Sequence, residues 1–372
     1  MAEPFKNLYS KQFFDVFTEA LDDVLDDFNK EQFLNKIITS EWDDLELKQR
    51  MYHISEVLAT YLTRDYPKSV DQLLQIIASL KTNKVEAKVK YPDLVFMLIP
   101  NYIENYGLHD FTTSVEAFQK ITPFTTCEFA VRPFIIKYGD KMLMEMLRWA
   151  KHENHHVRRL ASEGCRSRLP WGMALRDLKR DPNPILSILE NLKNDSSEYV
   201  RKSVANNLND ISKDNPQVTI DIVKKWKGQT KETDWIVKHA SRTLLKAGNQ
   251  ELMQLFGFGA IDDIEIRNFQ VLRHEVRVGD ALGFSFEIHN QSTKSELIRL
   301  EYAIYYLKKN GTHTKKVFKI SEKEYAPNSI TNITRRQSFK IVSTRKYHMG
   351  DHLISLIING VEVDEGAFEL KA

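Results

Sequence analysis

The sequence is poor in cysteine: its 372 residues include only two, Cys127 and Cys165. Secreted disulfide scaffolds are small and carry an even, dense set of cysteines. Two widely spaced cysteines in a long chain do not fit that class and indicate a reducing compartment. The sequence therefore predicts a cytoplasmic protein.

Long apolar runs are also missing. A membrane-spanning helix needs about 20 consecutive apolar residues, and no segment approaches that length. The first residues, MAEPFKNLYSKQFFDVF, lack the basic stretch and the apolar core of a signal peptide. These absences predict a protein that does not contact a membrane.

A strong net charge is absent as well, since 53 Lys and Arg oppose 51 Asp and Glu to give +2. The distribution is uneven: residues 1–56 are rich in acids, whereas residues 128–180 are rich in arginine and lysine. A local basic surface on a nearly neutral protein is compatible with binding a polyanion. The same basic region holds three histidines without the cysteines or acids of a metal site. We therefore predict no metal and no cofactor.

Residues 1–257 have the periodicity of amphipathic helices joined by short polar turns. From about residue 108, four segments share an acidic residue or asparagine, then a hydrophobic residue, then a basic residue that opens a helix. These segments are 128–132, 154–158, 198–201 and 234–238. Repeats of roughly 40 residues built from two helices are typical of a HEAT-like solenoid. We predict such an all-α domain over residues 1–257.

In a solenoid, each unit contributes one helix to a concave inner face, so polar residues in the same repeat phase line up there. The candidates for this face are Glu128, Arg159, Glu163, Arg166, Asn206, Asp210, Lys238 and Arg242. Taken one at a time, each is more simply a solvated surface residue. Their shared phase favours a common face that can follow an extended ligand.

The segment 154–171 carries the densest pattern. Its apolar residues Val157, Leu160, Ala161, Gly164 and Cys165 fall on one helical face. Arg159, Glu163 and Arg166 form a polar stripe on another face. Pro170 is expected to end the helix, with Trp171 in the following turn. The stripe is either an ordinary ladder of ion pairs on a solvated helix or a carboxylate held functionally between two guanidiniums.

Residues 258–372 switch to the two-residue periodicity of strands. Seven such segments are separated by turn signals such as Asn310-Gly311. Seven short strands of this kind predict an immunoglobulin-like β-sandwich, here without the disulfide of antibody domains. The loops 307–316 and 343–352 are basic, so Arg345 and Lys346 either contact phosphates or merely keep the surface soluble.

The helical part resembles the AlkC branch of the HEAT-repeat DNA alkylation-repair glycosylases. The resemblance rests on TTCEFAVRPFI, HHVRRLASEGCRSRLPWG, SVANNLNDISKDNP and WIVKHASRTLLKAG and covers roughly residues 5–255. Some AlkC-type proteins also carry a C-terminal immunoglobulin-like domain, which agrees with residues 260–372. The resemblance implies removal of 3-methyladenine and 3-methylcytosine from alkylated double-stranded DNA. The sequence has no strong dimer signal, so we expect a monomer.

The resemblance also implies roles for residues at matching positions. It assigns catalysis to Glu128, Glu163, Trp171 and Asp210, and DNA binding to Arg159 and Arg166. On the same concave face, we expect Lys238 and Arg242 to contact DNA as well. The residue types suit the chemistry, because carboxylates can stabilise an oxocarbenium-like sugar and position water, and an indole attracts a cationic base. We expect Asp210 and Glu163 to do most of this, with Glu128 in support. Two alternatives stay open: a non-catalytic HEAT-repeat scaffold, and a protein that recognises damage without cutting.

Overall fold

A computed structural model describes residues 4–342 and 345–372, which form two compact units, residues 1–240 and 241–372. The first unit is helical and the second is largely β-structure. The predicted order of architectures, helical repeats followed by a β-sandwich, is therefore confirmed. The predicted domain boundary after residue 257 stays a prediction.

The first unit consists of helices joined by short turns, with two 3₁₀ turns at Phe5–Leu8 and Trp42–Asp44. Its helices are α1 (Lys11–Asp22), α2 (Lys30–Ile37), α3 (Leu47–Ala59), α4 (Tyr66–Thr82), α5 (Val85–Lys88), α6 (Pro92–Val95), α7 (Leu98–Tyr106), α8 (Phe111–Ile121), α9 (Val131–Tyr138), α10 (Asp140–Trp149), α11 (His155–Gly164), α12 (Arg176–Arg180), α13 (Asn183–Leu192), α14 (Glu198–Ile211), α15 (Pro216–Trp226) and α16 (Lys231–Ala240). Across the described part of the chain, none of the helices combines the length and apolar character needed to cross a bilayer.

Helix α11 starts where the sequence predicts. The Asn154 side chain accepts the backbone N–H of His156 and so satisfies one of the free donors of the first turn. The predicted apolar face of this helix is buried throughout. It packs in the row formed by α10, α11, α13 and α14.

The end of α11 is a correction, because the helix stops at Gly164 and not at Pro170. A Cβ on Gly164 would lie 2.6 Å from Cγ2 of Val131, so α9 approaches here as closely as only glycine allows. Arg132 of α9 donates from Nη1 to the Gly164 carbonyl at 2.9 Å. This carbonyl would otherwise accept a backbone N–H from a further turn of the helix. Arg166 therefore lies beyond the helix and not on its polar stripe.

The basic residues of the repeat have a structural use. Arg158 and Arg201 each donate from Nη1 to the backbone carbonyls five and six residues before them, at 2.7–2.9 Å. Each therefore ties the start of its helix to the preceding turn. Arg132 departs from this pattern, since its buried guanidinium binds the carbonyls of Gly164 and Met173 instead.

The second unit opens with two short helices and continues as strands. Its elements are α17 (Arg242–Lys246), α18 (Gln250–Leu255), β1 (Ile264–Val271), β2 (Glu275–Arg277), β3 (Ala281–Asn290), β4 (Glu296–Leu307), β5 (His313–Tyr325), β6 (Ser329–Ser338), β7 (Gly350–Ile358) and β8 (Val361–Lys371). The described residues thus hold eight strands and not the predicted seven. The additional strand, β2, has three residues, too few for a periodicity to mark it.

The strands form two sheets, with the orders β1-β3-β6 and β2-β8-β7-β4-β5. Pairing is antiparallel except between β2 and β8. Burial alternates along the whole of β3, as its two-residue periodicity predicts. One apolar core draws on both sheets, through residues such as Phe284 and Phe286 of β3, Ile304 of β4 and Ile354 of β7. This arrangement is a β-sandwich.

Candidate active site

A buried polar stripe on α14 faces α11. Ser203, Asn207 and Asp210 follow each other at i, i+4 and i+7, the spacing of one helical face, and all three are buried. Asn207 donates from Nδ2 to the Ser162 carbonyl at 2.8 Å, which fixes one helix against the other. The sequence marks this stripe by its spacing, yet only Asp210 was recognised from the sequence.

One end of the site is an ion-pair cluster built on Arg159 of α11. Its Nη1 lies 2.5 Å from Oε2 of Glu128 and 2.8 Å from the hydroxyl of Thr126. Its Nη2 lies 3.5 Å from Oε1 of Glu163. The Tyr199 ring covers the same guanidinium at 4.9 Å. Arg159 therefore links two of the predicted carboxylates.

The other end is held by Arg166. Its Nη1 donates to Oε1 of Glu163 at 2.7 Å, while Nε and Nη2 both lie 2.8 Å from Oδ2 of Asp210. Lys213 closes the cluster with a 2.9 Å contact to Oδ1 of Asp210. The result is one chain of alternating charges from Glu128 to Lys213, with three carboxylates and three cations. Neither Thr126 nor Lys213 was identified from the sequence.

The charges of this chain stabilise one another in a largely buried site. Glu163, Arg166 and Asp210 are all buried, and Asp210 is only 1% exposed. Burial alone would lower the pKa of Arg159 and of Arg166. The nearby carboxylates outweigh the effect of burial. Glu163 and Glu128 raise the pKa of Arg159, and Glu163 and Asp210 raise the pKa of Arg166. Both guanidiniums thus stay charged.

A cavity of about 350 Å³ opens beside this chain. Its lining includes Glu128, Glu163 and Arg166 together with Phe129 and Trp171. Asp210 is not part of the lining. Its carboxylate is bound by Arg166, which does line the cavity, and by Lys213, two residues beyond the end of α14. The lining thus includes three acidic residues, Asp93, Glu128 and Glu163, and the two aromatic rings, with the Asp210 carboxylate behind Arg166.

Trp171 belongs to an exposed aromatic cluster that the sequence did not reveal. Trp171 is 61% exposed, and its ring lies edge to face with Phe5, which in turn contacts Tyr91. Trp171 and Tyr91 both have left-handed backbones, with φ of 63° and 51°, a strained conformation for bulky residues that often accompanies function. Lys48 holds the turn by donating to the Trp171 carbonyl at 2.9 Å.

Four further residues are predicted to contact DNA, and they come later in the sequence: Lys238, Arg242, Arg345 and Lys346. Lys238 is half-buried on α16, which packs against α14. Arg242, Arg345 and Lys346 belong to the second unit; Arg345 covers the Tyr306 ring at 4.0 Å and Lys346 is exposed. Within residues 4–342 and 345–372, no three His, Cys, Asp or Glu side chains group as a metal site.

Comparisons with known proteins give matches to both parts of the chain. A family described as "DNA alkylation repair enzyme" matches residues 13–244, and the family of the C-terminal Ig-like domain of the uncharacterised protein YhaZ matches residues 265–372. The uncharacterized protein YhaZ of Bacillus subtilis (strain 168) is 40% identical over 365 residues, which cover 98% of this chain and 99% of that one. The structure of the Pseudomonas fluorescens alkylpurine DNA glycosylase AlkC, bound to DNA containing an abasic site analog, matches at a TM-score of 0.92, with 33% identity and 100% of both chains covered.

Proposed function

This chain belongs to the DNA alkylation repair enzyme family, and we propose that it is a glycosylase that hydrolyses the N-glycosidic bond of cationic N3-methylated bases. The proposed substrates are 3-methyladenine and 3-methylcytosine in alkylated duplex DNA. The observation that carries the proposal is the chain of buried and half-buried carboxylates and guanidiniums that borders a cavity lined by Phe129 and Trp171.

The proposed reaction does not need an acid catalyst. An N3-methylated base already carries a positive charge and leaves readily, so the enzyme need not protonate it. It must stabilise positive charge that develops on the sugar and direct a water molecule to it. Fixed carboxylates meet both needs, because they offset the charge and accept a proton from water.

The three carboxylates differ in what they can still bind. Asp210 and Glu163 have donors on both oxygens, from Arg166, Lys213, Arg159 and Ser203. In the described residues, the hydrogen bonds of Glu128 engage only Oε2. Glu128 Oε1 is thus available to a water molecule. We assign the positioning of water to Glu128, and fixed negative charge to Glu163 and, from behind the cavity, to Asp210.

This assignment differs from the expectation drawn from the sequence, in which Glu128 played only a supporting part. The contacts of Arg159 and Arg166 also differ from the expectation that these residues bind DNA. Their donors point to carboxylates, so their proposed role is to hold these acids in place. Trp171 presents a π-face to the cationic nucleotide, where an attraction of about 0.5–2 kcal/mol is usual.

The sandwich unit is proposed to grip DNA through its basic loops, with Lys238 and Arg242 adding contacts. Each lost phosphate contact reduces the slope of log affinity against log salt by about 0.9. We expect Lys346→Ala to weaken DNA binding and to reduce that slope by about this amount. Lys294→Ala, another exposed lysine between β3 and β4, is the comparison. Identical slopes for wild type and Lys346→Ala in fluorescence-anisotropy titrations would remove Lys346 from the DNA contacts.

The protein is proposed to act as a cytoplasmic monomer. Sedimentation equilibrium should return the chain mass of 43.4 kDa, and cell fractionation should recover it with cytoplasmic markers. A dimer mass or a membrane fraction would contradict these two points respectively.

The direct test is release of methylated bases from alkylated duplex DNA, with products separated by chromatography. Wild-type protein is expected to release 3-methyladenine, 3-methylcytosine or both. Folded protein that binds alkylated DNA but releases nothing would favour recognition without cutting. Protein that neither cuts nor binds would favour a scaffold for a protein partner.

A further inference from the structure

Ser203 on α14 makes a buried contact with the Glu163 carboxylate. Its hydroxyl donates to Oε2 of Glu163 at 2.6 Å, and both residues are at most 5% exposed. A hydrogen bond from a hydroxyl to an ionised carboxylate is among the stronger polar contacts in a protein. This bond joins residues 40 positions apart in the chain.

The direction of this hydrogen bond follows from the carboxylate, which can only accept. The Ser203 hydroxyl gives its single proton to Glu163, so toward any other group its oxygen can only accept. The fully buried Ser162 hydroxyl lies 2.7 Å from that oxygen and 3.1 Å from the Arg159 carbonyl, and its own proton can go to either acceptor. The donor to Glu163 is therefore Ser203, whichever acceptor Ser162 uses.

The Ser203 hydroxyl completes the coordination of Glu163. Oε1 accepts from Arg166 at 2.7 Å and lies 3.5 Å from Arg159, which leaves Oε2 to Ser203. Without the Ser203 hydroxyl, only the contacts to Oε1 would hold the carboxylate, which could then rotate about its terminal bond. A carboxylate that stabilises developing charge must be fixed before the reaction begins.

We propose that Ser203 is a positioning residue for Glu163 that holds this carboxylate at the orientation in which it faces the sugar of the scissile nucleotide. The proposal rests on the proposed glycosylase function. Ser203 does not touch the substrate and acts only through Glu163. The Ser162 hydroxyl is a second polar neighbour of the Ser203 oxygen.

The test compares single-turnover excision rates of full-length variants. Ser203→Ala removes one hydrogen bond to a charged group, worth about 1.5–3 kcal/mol, so the rate should fall about 10- to 100-fold. Affinity for DNA with an abasic analogue should stay within about twofold, because no DNA contact is lost. Ser203→Thr keeps the hydroxyl and should recover most of the rate.

The matched control is Ser212→Ala. Ser212 is equally buried at the end of α14, but its hydroxyl donates to the Asn209 carbonyl at 2.8 Å. This variant should lose thermal stability and keep the wild-type rate. Ser203→Cys, with a weaker donor of similar size, should show an intermediate rate and serves if the alanine variant folds poorly.

A double-mutant cycle separates positioning from general packing. In a Glu163→Gln background, Ser203→Ala should cause little further loss of rate, because residues that act as a unit are non-additive. An equal loss in both backgrounds, or an unchanged rate in Ser203→Ala, overturns the proposal while the function stands. Wild-type protein that releases no base overturns the proposed function and this role together.

Discussion

Glu128→Gln is expected to lose about 10²- to 10⁴-fold in excision rate, the usual range for a general base, while DNA binding and stability change little. The amide oxygen of glutamine can replace Oε2 and still accept from Arg159 and Thr126. The amide nitrogen then occupies the position of Oε1. A donor there can no longer accept a proton from the attacking water.

Single-turnover rates on duplex DNA with one 3-methylcytosine, together with affinity for an abasic analogue, check this expectation. Glu145→Gln is the matched control, since Glu145 also pairs with an arginine, Arg148 at 2.9 Å, but on α10 and outside the cavity. A Glu128→Gln rate within tenfold of wild type, with an inactive and stably folded Asp210→Asn variant, would return the positioning of water to Asp210.

Arg166→Leu is expected to lower the free energy of unfolding by about 3–5 kcal/mol, the usual loss when one partner of a buried ion pair is removed. The variant leaves Glu163 and Asp210 buried without the cation that both share. The remaining partners are then Arg159 and Ser203 for Glu163, and Lys213 for Asp210. Excision should also be lost, because the two carboxylates repel each other out of position.

The control for this expectation lies two residues further on. Arg168 pairs with Asp214 at 2.6 Å, but its side chain is 39% exposed, so Arg168→Leu should change stability by about 0–1 kcal/mol. Urea denaturation followed at 222 nm, where the helices dominate the signal, gives both values. Equal midpoints for the two variants would show that the Arg166 cluster adds nothing to stability.

Local periodicity was enough to predict the architecture. The 3.6-residue pattern of residues 155–164 buries the apolar face that the sequence indicates, and the alternating pattern of residues 281–290 gives strand β3. These patterns succeed because each element must bury one face, and that face repeats at the period of the element. The three-residue strand β2 was missed because three residues are too few to show the alternation of a strand.

Residue types also pointed to much of the candidate site. The resemblance to AlkC-type glycosylases selected Glu128, Glu163 and Trp171, which line one cavity in the structure. Their catalytic roles, like that of Asp210, stay predictions. The aromatic neighbours Phe5 and Tyr91 were out of reach, because they come from distant segments and share no spacing with Trp171.

The sequence alone determined the helical and β parts, the apolar faces of their elements and the set of charged residues available to a site. Only the tertiary structure decided how those charges pair. The early end of α11 turns Arg166 toward Asp210, 44 residues further along the chain, and the packing of α14 on α11 brings Ser203 to Glu163. Periodicity reports which side of an element is buried, whereas the partner of a buried charge depends on which elements meet and at what distance.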